Sequence, residues 1–206
     1  MKKNKIPNVI GLFPIPLYCT NLFRNLSEKE EDFVNNLKKN IRRNIGNIRT
    51  TNSYVLEDNN FKKLKNDLLL IVQDFSHKVL NYKNFKPYIT QSWINFTEET
   101  EHHHQHQHPN SLISGVFYLN ADIKNDKIYF YRNLYSQIVP SVKDYNIWNS
   151  QSWWIPVKTG DVILFPSSLS HMVENKKGTN TRTSLAFNVF AKGIMGEDKT
   201  LTELKL

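Results

Sequence analysis

Along the chain the spacing of apolar residues changes from a helical to a strand period near residue 87, and that change organises the reading. Before it, Ser27 with Glu30 makes a capping box ahead of DFVNNLKKNI and predicts a helix. A second helical stripe, Phe61, Leu64, Leu68, Ile71, Val72, Phe75 and Val79, predicts a helix from about Asn60 to Tyr82. From Pro87 onward the period is two. YITQSWINFTE, SLISGVFYLN, KIYFYRN, SWWIPVKT, GDVILFPSS and TRTSLAFNVFAK each read as a strand, separated by turn-forming Asn, Asp, Gly and Pro. The stretch from Val9 to Thr20 carries two prolines and suits an edge strand. Six or more strands behind a pair of helices that cover one sheet face predict a mainly β, cupin-like double-sheet jelly roll with a helical cap.

Length adds that 206 residues suit one domain. Its expected parts are an N-terminal strand and supporting helices over about 1–86, a β core over about 87–192 and a tail over 193–206. The longest apolar run, near Leu68 to Val72, is too short to cross a bilayer, and the prolines in LFPIPLY argue against a signal peptide, so the expected location is the cytoplasm. The single cysteine, Cys19, excludes an internal disulfide and, set in an apolar stretch, reads as a buried inert thiol. A net charge of +8 is spread among asparagines rather than gathered into a stripe with aromatics, so nucleic acid is not the expected partner; neither is a membrane.

Candidate chemistry sits in EHHHQHQHPNSLISGVFYLN. Five of the seven histidines, His102, His103, His104, His106 and His108, fall in this stretch. Residues i and i+2 of a strand point to one face, so His106 and His108 can grip one ion from a single β segment, with His171 of GDVILFPSSLSHMVE supplying a third imidazole. Three such ligands leave the opposite side of the metal open, as catalysis requires. The pairs His102 with His104 and His104 with His106 have the same geometry, and Glu98, Glu99 and Glu101 could add a carboxylate, so the register stays open at this point. Arg182 and Ser184 lie two apart in TRTSLAFNVF and offer a guanidinium fork and a hydroxyl to one carboxylate.

The ordered set HQHPNSLISGVFYLN, GDVILFPSSLSHMVE and RTSLAFNVF resembles the iron(II)- and 2-oxoglutarate-dependent dioxygenases, nearest a family found in marine phages and bacteria and, more distantly, the prolyl hydroxylases. The resemblance covers about residues 88–192. It implies a double-stranded β-helix, iron(II) held by His106, His108 and His171, and 2-oxoglutarate anchored through its distal carboxylate by Arg182, assisted by Ser184 and Tyr118. It further implies O2 as oxidant, succinate as coproduct and hydroxylation of a C–H bond, with a peptidyl proline the nearest substrate by similarity and the host cytoplasm the location if a phage encodes the chain. The familiar carboxylate of the His-x-Asp/Glu motif is replaced here by His108. Trp93 and Asn95 are expected to line the pocket, and the segment from Asp122 to Ser152, with Tyr129, Tyr131, Tyr135, Tyr145 and Trp148, to form a variable loop at its mouth that selects the substrate. The competing reading is a non-enzymatic or 2-oxoglutarate-independent cupin-like jelly roll that holds zinc or nickel.

Overall fold

A computed structural model describes residues 9–132 and 138–206. The main sheet has seven strands, β1 (Tyr18–Asn21), β2 (Ile41–Arg43), β3 (Ile48–Thr50), β4 (Lys86–Thr97), β6 (Ile113–Asn120), β9 (Asp161–Pro166) and β11 (Arg182–Lys192), in the order β1-β9-β6-β11-β4-β3-β2. A smaller sheet holds β5 (His103–His106), β7 (Lys127–Tyr131), β8 (Ser152–Pro156) and β10 (Ser170–Val173) in the order β5-β10-β7-β8. The two layers form the jelly roll that the period-two segments predict, each of the six giving a strand, whereas of the edge strand expected over Val9 to Thr20 only its end is a strand, as part of β1.

Among the short strands that the sequence does not announce, one pair bears on the site. The sequence IRRNIGNIRT contains the hairpin β2–β3, whose second strand pairs with β4. Its strands are three residues long and rich in arginine, so no apolar alternation marks them.

Alternation along β11 shows how the core is divided. Leu185, Phe187 and Val189 point away from the small sheet into a large cluster with Leu64, Leu68, Val72 and Phe75. Arg182, Ser184 and Ala186 point the other way, toward the second sheet. A smaller apolar cluster of Tyr118, Ile128, Phe130, Ile163 and Phe165 fills the space between sheets. Truncating fully buried Phe187 to alanine would cost about 3–5 kcal/mol, because a ring-sized void would remain.

Helix α1 (Glu28–Leu37) begins where the capping box predicts: Ser27 Oγ accepts from the Glu30 amide, and the Glu30 carboxylate accepts from the Ser27 amide at 2.8 Å. Arg24 then ties this cap to the second helix, donating to Glu30 at 2.8 Å and to Asp67 at 2.7 Å. That second helix, α2 (Lys62–Asp74), buries Leu64, Leu68 and Val72 and continues as a π turn over Phe75–Val79. The wider turn rotates the stripe off register, which is why Val79, expected on the buried face, is 52% exposed. Cys19 is also exposed on edge strand β1, contrary to the buried thiol expected from its apolar neighbours. Among the described residues no helix is long and apolar enough to cross a membrane.

Candidate metal centre

Strands β5 and β10 lie side by side with His106 directly opposite His171, and this pairing places their rings 4.3 Å apart. The extended segment ends at His106, so His108 does not share a strand with it as the i, i+2 argument supposed. Instead the His108 amide donates to the Ser167 carbonyl at 3.0 Å, which turns the chain back over the site. Its ring comes 5.0 Å from His106 and 5.1 Å from His171. One nitrogen from each of the three rings lies within 4.8 Å of the others, a spacing a single ion can satisfy.

Each ring is held in one tautomer. His106 Nδ1 donates to the His104 carbonyl at 2.7 Å, and His171 Nδ1 to the Leu169 carbonyl at 3.1 Å. Carbonyls only accept, so both Nδ1 atoms carry the proton and both Nε2 lone pairs are free. His108 Nδ1 meets Asn188 Oδ1 at 2.6 Å, which fixes the third ring in the same way. Burial pushes the His108 imidazole down to about 4 and His171 down to about 3, and holds His106 below its ordinary range, so all three are neutral near pH 7. Trp93 stacks on His108 at 5.7 Å and limits the ring's rotation. Asn188 carries no sequence signal beyond its place six residues after Arg182 in an alternating strand.

The remaining histidines are distributed unequally. His103, His104 and His106 form a second group with the same close spacing of ligand atoms. His106 Nε2 belongs to both groups and can serve only one ion. His103 Nε2 is 3.2 Å from Asn44 Nδ2, whereas His104 Nδ1 is buried without a partner. His102 packs on Gly46, where a Cβ would strike its ring. Of the nearby carboxylates, Glu98 accepts from Thr181 Oγ1, Glu101 caps the Glu98 amide at 2.8 Å, and Glu99 is exposed. Among the described residues neither group of three gains a carboxylate.

On one side of the histidines lies a cavity of about 30 Å³ lined by Arg182, Ser184, Tyr118, Asn95, Trp93 and His103 with the three candidate ligands. Arg182 is 2% exposed. Its Nη1 donates to the Lys127 carbonyl over a long 3.4 Å, and its Nε has no partner among the described residues. Burial lowers its affinity for the proton, opposed by nearby Tyr118 and Asp126, yet a guanidinium stays charged in proteins. Asn95 Oδ1 is a second buried atom without a partner on the same wall. Burial raises the Tyr118 phenol well above its usual range and keeps it a neutral O–H donor. A cavity of this size holds one or two waters, so a five-carbon diacid fits only after a side chain moves.

On the other side a wider pocket of about 420 Å³ opens to solvent, with Arg42, Asn44, Arg49 and Ser53 from the β2–β3 hairpin and its following loop, and Gln91, Trp93 and Asn188 from the main sheet. Among the described residues, none of its lining comes from the segment between Asp122 and Ser152 that the sequence places at the mouth. Trp148 instead packs on Gly11, Tyr129 and Tyr131 lie on β7, Tyr145 is exposed, and Tyr135 falls outside the described residues.

Residues 91–188, which contain all three histidines and Arg182, match the family described as "Putative 2OG-Fe(II) oxygenase". No curated protein matches the chain. Among solved structures, HygX from Streptomyces hygroscopicus with nickel, 2-oxoglutarate and hygromycin B bound is similar at 13% identity and a TM-score of 0.60, over 86% of this chain and 83% of that one. A prolyl hydroxylase from Trichoplax adhaerens, in complex with a hypoxia inducible factor peptide, is similar at 14% identity and a TM-score of 0.60, over 85% and 83%. The chain spans 65% of the length of a 2OG-Fe(II) family oxidoreductase from Burkholderia pseudomallei, at a TM-score of 0.49. At these identities the likeness shows the shared fold, the double-stranded β-helix.

Proposed function

We propose that this chain, a 2OG-Fe(II) oxygenase by its family segment, holds iron(II) on the Nε2 atoms of His106, His108 and His171 and anchors 2-oxoglutarate through Arg182. One oxygenase domain over residues 1–206 carries the reaction. Iron(II), when bound, supplies the redox chemistry that couples O2 to decarboxylation of 2-oxoglutarate and oxidation of a substrate C–H bond. Three imidazoles fixed through their Nδ1 protons suit it, since they offer free lone pairs at neutral pH without any deprotonation. With no carboxylate among them, the metal keeps both positive charges, which favours chelation by an anionic cosubstrate.

The observation that carries this reading is the buried Arg182 guanidinium, with Nε unpartnered, lining the same cavity as the three histidines. A buried cation without an anion is costly, and the distal carboxylate of a diacid would satisfy it. Ser184 and neutral Tyr118 can donate to the same carboxylate, and Asn95 completes the wall. His103 and Trp93, neither of them a proposed ligand, line this cavity and the outer pocket alike, so one of these two rings swings aside as the diacid enters. The chain's own residues thus bind, orient and exclude water, and the reaction needs no general base from the protein.

The product is a hydroxylated substrate. A peptidyl proline is the nearest class by similarity, because the Trichoplax enzyme of the same fold is a prolyl hydroxylase. The cytoplasm, a reducing compartment, would keep iron in its ferrous state and the exposed Cys19 thiol reduced. Conversion of 2-oxoglutarate to succinate by the iron(II)-loaded protein in air is the test. Succinate that depends on iron and disappears in Arg182→Ala supports the proposal. Tight zinc binding with no turnover would favour a non-enzymatic jelly roll, and activity that ignores Arg182→Ala would favour an oxygenase that uses no 2-oxo acid.

A further inference from the structure

Arg42 on β2 and Arg49 on β3 are direct partners across the antiparallel pair, so their side chains leave the hairpin on one face. Like charges placed opposite each other destabilise a strand pair. Among the described residues no carboxylate lies within ion-pairing distance of either guanidinium. Arg49 is also held in place, with Nη1 donating to the Thr50 carbonyl at 3.1 Å and to Ser53 Oγ at 3.2 Å. Both arginines line the open pocket of about 420 Å³, whose lining among the described residues includes His106 and His108 and no acidic side chain. The amides of Asn44, Gln91, Gln107 and Asn188, the Ser53 hydroxyl and the rings of His103 and His104 supply its other polar groups.

From these features we infer that the outer pocket binds a small oxyanion-bearing substrate, a carboxylic acid or a phosphate ester, gripped by Arg42 and Arg49 with its reacting carbon over the histidines. The inference rests on the proposed metal centre and deepens it by naming a substrate class from the pocket's own charges, in place of the peptidyl proline reached by similarity of fold. Two guanidinium forks on one strand face match the geometry of carboxylate or phosphate oxygens. A charged anchor at the rim and amides below it orient an acid of modest size, and the volume lies in the range that encloses a small molecule. A neutral prolyl peptide would leave both cations unpaired.

Inorganic phosphate is the first probe, titrated by calorimetry into the iron(II)-loaded protein under nitrogen with 2-oxoglutarate saturating. Phosphate binding is expected, and Arg42→Glu, at an exposed position, weakens it about tenfold or more. Arg42→Lys, which keeps charge without the fork, is expected to fall between the two. Succinate formation is then followed with a panel of small carboxylic acids, a panel of phosphate esters and a neutral prolyl peptide. Stimulation by one acidic panel, lost in Arg42→Glu, identifies the source of the oxyanion. Phosphate binding that is absent or indifferent to Arg42→Glu, or stimulation by the neutral peptide alone, overturns the inference. Failure of the wild-type protein to bind 2-oxoglutarate, with phosphate still bound through Arg42, overturns the role of Arg182 and leaves the outer oxyanion site standing.

Discussion

The histidines stand between two arginine environments that differ in kind. Behind them Arg182 is buried on a long central strand, without a partner at Nε, beside a cavity of about 30 Å³. In front, exposed Arg42 and half-buried Arg49 stand on a short hairpin at the end of the sheet, with no ion-pair partner among the described residues, at a pocket of about 420 Å³. Burial makes an unsatisfied charge expensive, so the inner site should discriminate sharply for one diacid. Solvent screens the outer pair, which therefore suits a ligand that arrives, reacts and leaves.

The comparison breaks most sharply at Arg182. Arg182→Ala should lower 2-oxoglutarate affinity by about a hundredfold or more, the 3–5 kcal/mol expected when one partner of a buried charge pair is removed, as read by titrating the cosubstrate into iron-loaded protein. A smaller loss is expected at Asn188, which touches the proposed ligand His108 and lines the outer pocket. Asn188→Ala should weaken metal binding by about 10- to 100-fold, measured with a competing chelator, because the His108 ring loses the partner that fixes its tautomer.

Acid should separate the metal-free protein from an ordinary fold. His108 and His171 titrate near 4 and 3 when folded but near 6.5 when unfolded, so the unfolded chain takes up more protons as pH falls. Stability is full above about pH 6.5 and drops by about 1.4 kcal/mol per pH unit for each of these histidines down toward their folded values. Denaturant midpoints between pH 7 and 4 would register the decline, and a flat profile would contradict it. The smallest effect belongs to His104→Ala, expected to change iron affinity less than about threefold, because His104 lies outside the proposed ligand set. A large loss there would move the centre to the group formed by His103, His104 and His106.

How much of this was legible beforehand follows from where the physical signal lies. Period-two alternation from Pro87 onward marks each long strand, because one face of each must be buried, and the Ser27–Glu30 cap marks a helix start by local hydrogen bonding alone. The candidate histidines were visible by residue type, yet their meeting depends on β5 and β10 being neighbours and on a turn after His106, which no local rule specifies. The β2–β3 hairpin left no trace, since Ile41–Arg43 is exposed throughout. As a result the pocket mouth was assigned to the tyrosine-rich segment after Asp122, whereas hairpin arginines line it. Asn188 was overlooked because a polar residue on an alternating strand looks like any solvent-facing position.

Gly115 links these regions in a way that matters for anyone altering the protein. It lies opposite Phe187 in the ladder, and a Cβ built on it would collide with that ring, although its own backbone is ordinary. Phe187 is the immediate neighbour of Asn188. Even a methyl group at Gly115 would therefore shove the hydrophobic layer and tug the strand that steadies His108, so libraries selected for heat tolerance and those selected for turnover should both return glycine there.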